Sequence, residues 1–134
     1  MKHTSQLHSL LVEIMVVVLF FSLCCTVILE VFAAAWNQNR TAEDYNAAML
    51  EGQNLADRLY VSEDEEALLS EEGFALENGA WSKKADRVTY TVTLSDEPGA
   101  AGSLQKAEII AANDSKTLLT LQVDRFVQGG LQNE

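Results

Sequence analysis

The feature that most constrains this chain is an uncharged run from Ile14 to Leu29, bracketed by two carboxylates, Glu13 and Glu30. With its flanks the apolar stretch covers residues 10–35, LLVEIMVVVLFFSLCCTVILEVFAAA, and those two glutamates are its only charges. A hydrocarbon core about 30 Å thick is crossed by about 20 helical residues, which this stretch supplies. The consecutive valines at 16–18 are compatible with a helix there, because hydrocarbon offers an unfolded backbone no hydrogen-bond partner. The segment therefore reads either as a membrane span or as a signal peptide. At 134 residues the chain has room for one domain, not two.

Charge sets the expected orientation. Ahead of the apolar run stand Lys2, His3 and His8, and beyond it residues 36–134 hold 8 Lys/Arg against 18 Asp/Glu. Orientation follows basic residues near the membrane rather than net charge. Lys2 and the amino terminus on one side, against Arg40 on the other, predict a cytoplasmic amino terminus and an outer C-terminal domain. A strongly acidic outer portion lacks the basic footprint that nucleic-acid binding needs. Cys24 and Cys25 are adjacent and deep in the apolar run, where they read as small apolar membrane residues. The remainder has no cysteine, so no disulfide framework is expected.

Helical periodicity continues past the apolar run. In residues 41–60, TAEDYNAAMLEGQNLADRLY, the side chains of Ala42, Tyr45, Met49, Gly52, Ala56 and Leu59 recur at three- and four-residue steps. No Pro or Gly cluster interrupts the chain before them, which predicts one helix from about residue 7 to 60, roughly 80 Å long. Ser62-Glu63-Asp64-Glu65 has the form of a capping box opening a short helix that stops near Gly73.

From there the period changes to two. Phe74, Leu76 and Trp81 flank Asn78-Gly79, the dipeptide of a tight hairpin. Val88, Tyr90, Val92 and Leu94 alternate with threonines, as in a half-buried strand. Residues 96–102 read as a loop, 104–111 as a strand with Ala107, Ile109 and Ala111 on one face, and 113–116 as a turn. A last strand faces Leu119, Leu121 and Val123 inward, and a loose tail follows from Gln128. The expected fold class is α+β: a long N-terminal helix, half membrane-spanning and half amphipathic, packed on a small antiparallel β-sheet. Its parts are a leader (1–8), a transmembrane half-helix (9–35), an amphipathic half-helix (36–61), a globular head (62–127) and a tail (128–134).

These residues carry a resemblance. A polar leader, an apolar helix with a glutamate near its start, an amphipathic continuation and a small antiparallel sheet resemble type IV pilins and type II secretion pseudopilins. The local match is Ser9-Leu10-Leu11-Val12-Glu13, which aligns with the family's Phe-Thr-Leu-Ile-Glu opening of the mature chain and places Glu13 on its fifth residue. The match extends over the whole chain in architecture and about 20 residues in motif. The family's peptidase cuts after glycine, whereas His8 stands at that junction here and Ser9 replaces the phenylalanine. In this the chain is most similar to divergent pilin-like membrane proteins of Gram-positive secretion or competence loci. The resemblance implies a non-enzymatic minor pilin or pseudopilin. It also implies partners in other pilin-like subunits, an inner-membrane assembly platform and membrane lipid.

Two readings of Glu13 stand side by side. A carboxylate in hydrocarbon costs at least about 2.5 kcal/mol and so seeks a partner or water. The resemblance implies pairing with a neighbouring subunit, which would set axial register. The other reading places Glu13 at the interface, in reach of water. Glu30 is expected to be a hydrated boundary residue. The acidic run Glu63-Asp64-Glu65-Glu66, with Glu71 and Glu72, lacks the spacing and turn glycine of an EF-hand and reads as a solvated, helix-capping face. Tyr45, Tyr60, Trp81 and Tyr90 are expected in the core or at an interface. Residues 36–134 contain no histidine or cysteine to serve a nucleophile, and no phosphate-binding glycine loop. No catalytic residue, metal ligand or cofactor is therefore assigned.

The alternative is a small secreted or membrane-anchored binding domain, since Ala33-Ala34-Ala35 before Trp36 fits a signal-peptidase junction at Ala35/Trp36. Intact mass of the native chain separates the readings. Loss of residues 1–8 is expected for pilin maturation, loss of 1–35 for secretion, and full length for a stable anchor.

Overall fold

The computed structural model describes residues 2–129. Helix α1 runs Lys2–Val61 and α2 runs Glu65–Glu71. Five strands follow: β1 (Ala75–Glu77), β2 (Ala80–Ala85), β3 (Val88–Gly99), β4 (Gly102–Ala112) and β5 (Thr117–Gln128). They form one antiparallel sheet in sequence order, a simple meander. The chain divides into two compact units between Thr41 and Ala42.

In the first unit α1 is long and apolar enough to cross a membrane. It starts at Lys2, about one and a half turns of polar residues earlier than expected from about residue 7. The reason is permissive: residues 2–51 contain neither Gly nor Pro, so nothing in the leader ends the helix once it is nucleated. Its side chains from Lys2 to Arg40 are exposed with respect to the rest of the chain.

In the second unit the later part of α1 lies on one face of the meander. Its buried residues are Asp44, Ala48, Gly52, Leu55 and Leu59. This line differs from the expected one, since Ala42 and Tyr45 are exposed and Asp44 takes the inner place. A carboxylate can be buried there because Arg87 Nε donates to it at 3.0 Å and Asn113 Nδ2 at 3.4 Å. Gly52 packs directly against β5. A Cβ at that position would lie 3.1 Å from Leu119 Cδ2 and 3.2 Å from Leu121 Cδ1.

The sheet presents alternate residues to α1. Val88, Tyr90 and Val92 of β3 and Ala107, Ile109 and Ala111 of β4 are buried, with Leu119, Leu121 and Val123 of β5 packed against them. The register confirms a shared face: Val92 pairs with Ile109, and Ile109 with Leu121. Tyr90 also donates its hydroxyl to the Ala47 carbonyl at 3.3 Å. Tyr90 and Trp81 thus belong to the core region, whereas Tyr45 and Tyr60 are exposed.

Helix α2 opens at Asp64 rather than Ser62, because Asp64 Oδ1 accepts from Ala67 N at 3.1 Å. The Ser62 hydroxyl donates instead to the Asp64 carbonyl. The helix ends in a Schellman motif: Phe74 N donates to the Leu69 carbonyl, Gly73 N donates to that of Ser70, and Gly73 stands at φ 90°. Leu69 and Phe74, the two ends of that motif, are both core residues.

Asn78 and Gly79 turn β1 into β2 with both residues at positive φ, the geometry of a two-residue primed turn. The expected loop at 96–102 is instead the end of a hairpin. β3 and β4 stay paired out to Gly99 and Gly102, and only Ala100 and Ala101 turn the chain. Pro98 is tolerated in β3 because that strand has lost β2 as a neighbour beyond Val92, so one edge needs no donors. Gln128 likewise belongs to β5, and Gly129 N donates to the Ala101 carbonyl at 3.2 Å, so the tail does not begin at 128. The remainder of that segment, 130–134, lies outside the described residues.

Gly52→Leu forces the helix away from Leu119 and Leu121 and is expected to lower stability by about 1–3 kcal/mol. Denaturant unfolding of the detergent-solubilised chain, followed by tryptophan fluorescence, measures it.

Candidate functional site

Two sets of polar groups invite a functional reading, one in each compact unit. In the first unit, Glu13 lies inside the helical stretch of α1 and is exposed with respect to the rest of the chain. Its carboxylate has no hydrogen-bond or ion-pair partner among the described residues. The described residues therefore supply nothing to offset the cost of placing that group in hydrocarbon. Glu30 is in the same position at the other end of the uncharged run. That run is 16 residues, or about 24 Å, so a 30 Å core centred on it holds both carboxylates about 2 Å inside its boundaries. His8 and Ser9, and likewise Ala35 and Trp36, are all helical and exposed. Both proposed processing junctions thus fall within α1.

In the second unit, α2 gathers the acidic run around its first turn. Glu63, Asp64, Glu65 and Glu66 line a cavity of about 250 Å³ together with Leu94, Ser95, Asp96 and Gln105. Acids at a helix N-terminus are favoured by the helix dipole, and Asp64 also satisfies an N–H of that turn, so capping accounts for much of this cluster. Among the described residues no group of three or more His, Cys, Asp or Glu side chains is arranged to hold a metal ion.

Arg125 lies behind this cavity's elements and was not singled out by sequence. It projects from the inner face of β5 and donates to the Ser62 carbonyl, to the Tyr60 carbonyl at 3.4 Å and to Gln105 Oε1 at 2.6 Å. A cation on the last carbonyls of α1 complements the helix dipole there. Its position explains the missed signal: Gln105 and Arg125 are cross-strand partners on the inner face, at the end where the apolar alternation of β4 and β5 gives out. Lys83 acts similarly at the end of α2, donating to the Glu72 carbonyl at 2.8 Å while its ammonium stands 5.7 Å from the Phe74 ring centroid. Arg58 of α1 pairs with Glu72 as well.

The electrostatics follow from this packing. Burial pushes the Glu65 carboxyl up from its ordinary value; Arg125 opposes the shift and Asp96 adds to it. Burial also pushes the Tyr90 phenol up, with Glu51 contributing. Both shifts follow from a carboxyl and a phenol being drawn partly out of water by packing.

Native Glu65 holds its proton more tightly than the unfolded chain does. Its contribution to stability is thus complete below the unfolded carboxylate range and is lost as pH rises through the native value. Glu65→Gln is expected to flatten part of the fall in stability between about pH 4 and about pH 7. Denaturation midpoints of the two chains at both pH values supply the comparison.

No protein-family model matches this chain, and neither does any curated protein or solved structure.

Proposed function

We propose that this chain is a non-enzymatic, pilin-like subunit anchored in the cell membrane by one helix. Its amino terminus is cytoplasmic and its acidic, sheet-bearing unit lies outside. It packs with other pilin-like subunits on a membrane assembly platform of the type IV pilus, type II secretion or competence kind. His8 stands at the junction where the family has glycine.

The observation that carries this reading is Glu13, a carboxylate without a partner among the described residues, in a helix otherwise apolar enough to span a membrane. Such a group finds its partner outside the chain, and a partner on a neighbouring helix rewards one axial register over all others. Further support comes from the order of parts, in which an apolar helical segment is followed by an amphipathic one covering an antiparallel meander. The unbroken helix at Ala35 and Trp36 weighs against removal of residues 1–35.

Glu13→Ala is expected to leave insertion intact, with the chain retained in carbonate-washed membranes. Cross-linking to sister copies is expected to fall about ten-fold, which corresponds to about 1.4 kcal/mol. Undiminished cross-linking in that variant removes Glu13 from assembly.

A further inference from the structure

The meander has one long free edge. β5 ends the sheet, and among the described residues nothing bonds to the backbone on its outer side. Gly129 sets the hydrogen-bond parity of this strand, because its N–H reaches the Ala101 carbonyl. Opposed residues of an antiparallel pair exchange bonds at every second position. The register is unbroken from Gly102 and Gln128 to Ala111 and Leu119, so Leu119, Leu121, Val123, Arg125 and Val127 bond to β4. Thr120, Gln122, Asp124 and Phe126, between them, turn both backbone groups outward. Edges are ordinarily blunted by lysine, proline or a bulge. β5 holds neither residue, and its one irregularity is at its start, where Leu118 is skipped in the pairing. The opposite edge, β1, is only three residues long.

The later part of α1 carries apolar surface toward that edge that the sheet does not use. Gly52 sits against Leu119 and Leu121. At about 100° per residue, Leu59, Ala48, Leu55 and Asp44 lie about 20° to 80° to one side of Gly52, and all are buried. That side faces the earlier elements, since Leu55 and Arg58 share a recess with Glu72 and Phe74, just ahead of β1. Tyr45, Ala56, Met49 and Tyr60 lie about 20° to 80° to the other side, toward the free edge of β5. Tyr45 and Tyr60 are exposed, and Met49 and Ala56 are only half-buried. The inner row of the sheet opens at the same place: Val92 and Ile109 are fully buried, whereas Leu119, Leu121 and Val123 of β5 are partly so. The apolar stripe of α1 is thus wider than the sheet beneath it, and its surplus lies over the edge whose backbone is unpaired.

Both features are satisfied by the same object. Outward N–H and C=O groups in alternation match an extended strand, and a strand there turns every second side chain toward Tyr45, Met49 and Ala56. Charge selects whose strand it is. Residues 36–134 hold 8 Lys/Arg against 18 Asp/Glu, so a second copy is repelled and a basic segment attracted. Among Thr120, Gln122, Asp124 and Phe126 the only charge is a carboxylate. We propose that an extended segment of a partner protein adds to β5 as a sixth strand, with apolar residues facing α1 and basic residues on the other face. The inference goes beyond the filament reading and uses only the second compact unit.

The probe is a fluorescein-labelled peptide of four Val-Lys repeats, added to the full-length chain in detergent micelles and followed by fluorescence anisotropy. In the added strand its lysines stand opposite the outward-turned residues of β5, so lysine N–H groups bond to β5 and valine N–H groups do not. Backbone N-methylation at the lysines is expected to weaken binding at least about ten-fold, whereas N-methylation at the valines preserves it. Thr120→Pro removes one outward N–H and no bond to β4, and is expected to lower affinity at least about five-fold. Tyr45→Ala, at an exposed position of α1, is expected to lower it at least about three-fold. Equal binding of the two methylated peptides shows charge attraction alone and overturns the sixth strand. Absence of binding by the unmodified peptide, or affinity unchanged in both variants, overturns it as well. A disulfide-linked dimer as the main product of Gln122→Cys, in a chain carrying Cys24→Ala and Cys25→Ala, places a second copy on the edge and overturns the partner strand.

Discussion

The second compact unit depends on one burial event. A five-strand antiparallel meander has a single apolar face, and that face must be covered. The cover is the stripe Asp44, Ala48, Gly52, Leu55 and Leu59 of α1, joined by Leu69 of α2. Leu59, Leu69, Val92 and Ile109 are the largest fully buried side chains, and they come from two helices and two strands. With no cysteine in this unit, the fold has no covalent cross-link to substitute for that contact.

The closing groups are charged, and each does a defined electrostatic task. Arg125 meets the last carbonyls of α1, and Lys83 meets the end of α2. Arg87 reaches Asp44 and Glu43 from the β2–β3 turn, while Asn113 reaches Asp44 from the turn before β5. Asp44 therefore ties two hairpin ends to the helix, which is why a carboxylate occupies a position the apolar spacing would give to Tyr45. Asp44 is itself buried, and its desolvation is offset by the donors from Arg87 and Asn113. On the opposite sheet face Lys106 and Glu97 form a 2.8 Å pair that holds neighbouring strands without contributing to the seam.

Much of this architecture was legible in the residues because several levels agreed. Asn78-Gly79 demands a tight turn, the Val-Thr alternation of β3 demands a half-buried strand, and both are found. The failures share a cause, which is that local chemistry was read without its partner. Pro98 and the glycines at 99 and 102 mark a loop when taken alone, yet pairing extends through them once β3 has a free edge. Ser62 reads as a cap, but Asp64 sits where the helix begins. Asp44 and Arg125 acquire their roles only from turns and strands distant in sequence, which no periodicity reveals. For the apolar segment the residue types were plain, but the bonds of Ser22 and Thr26 to carbonyls of their own helix needed atomic positions.

The meander's neighbour-to-neighbour order has a consequence for biogenesis. Each strand pairs only with the strand next to it in sequence, so every hairpin can close as soon as it is synthesised. The helix that must cover the sheet is made first, and the part of its stripe that faces Leu119 and Leu121 stays uncovered until β5 has left the ribosome. Docking is thus the final and least local event. A nascent chain stalled before Thr117 displays both a greasy helix face and an unfinished sheet, the kind of surface that chaperones engage and that quality-control proteases recognise.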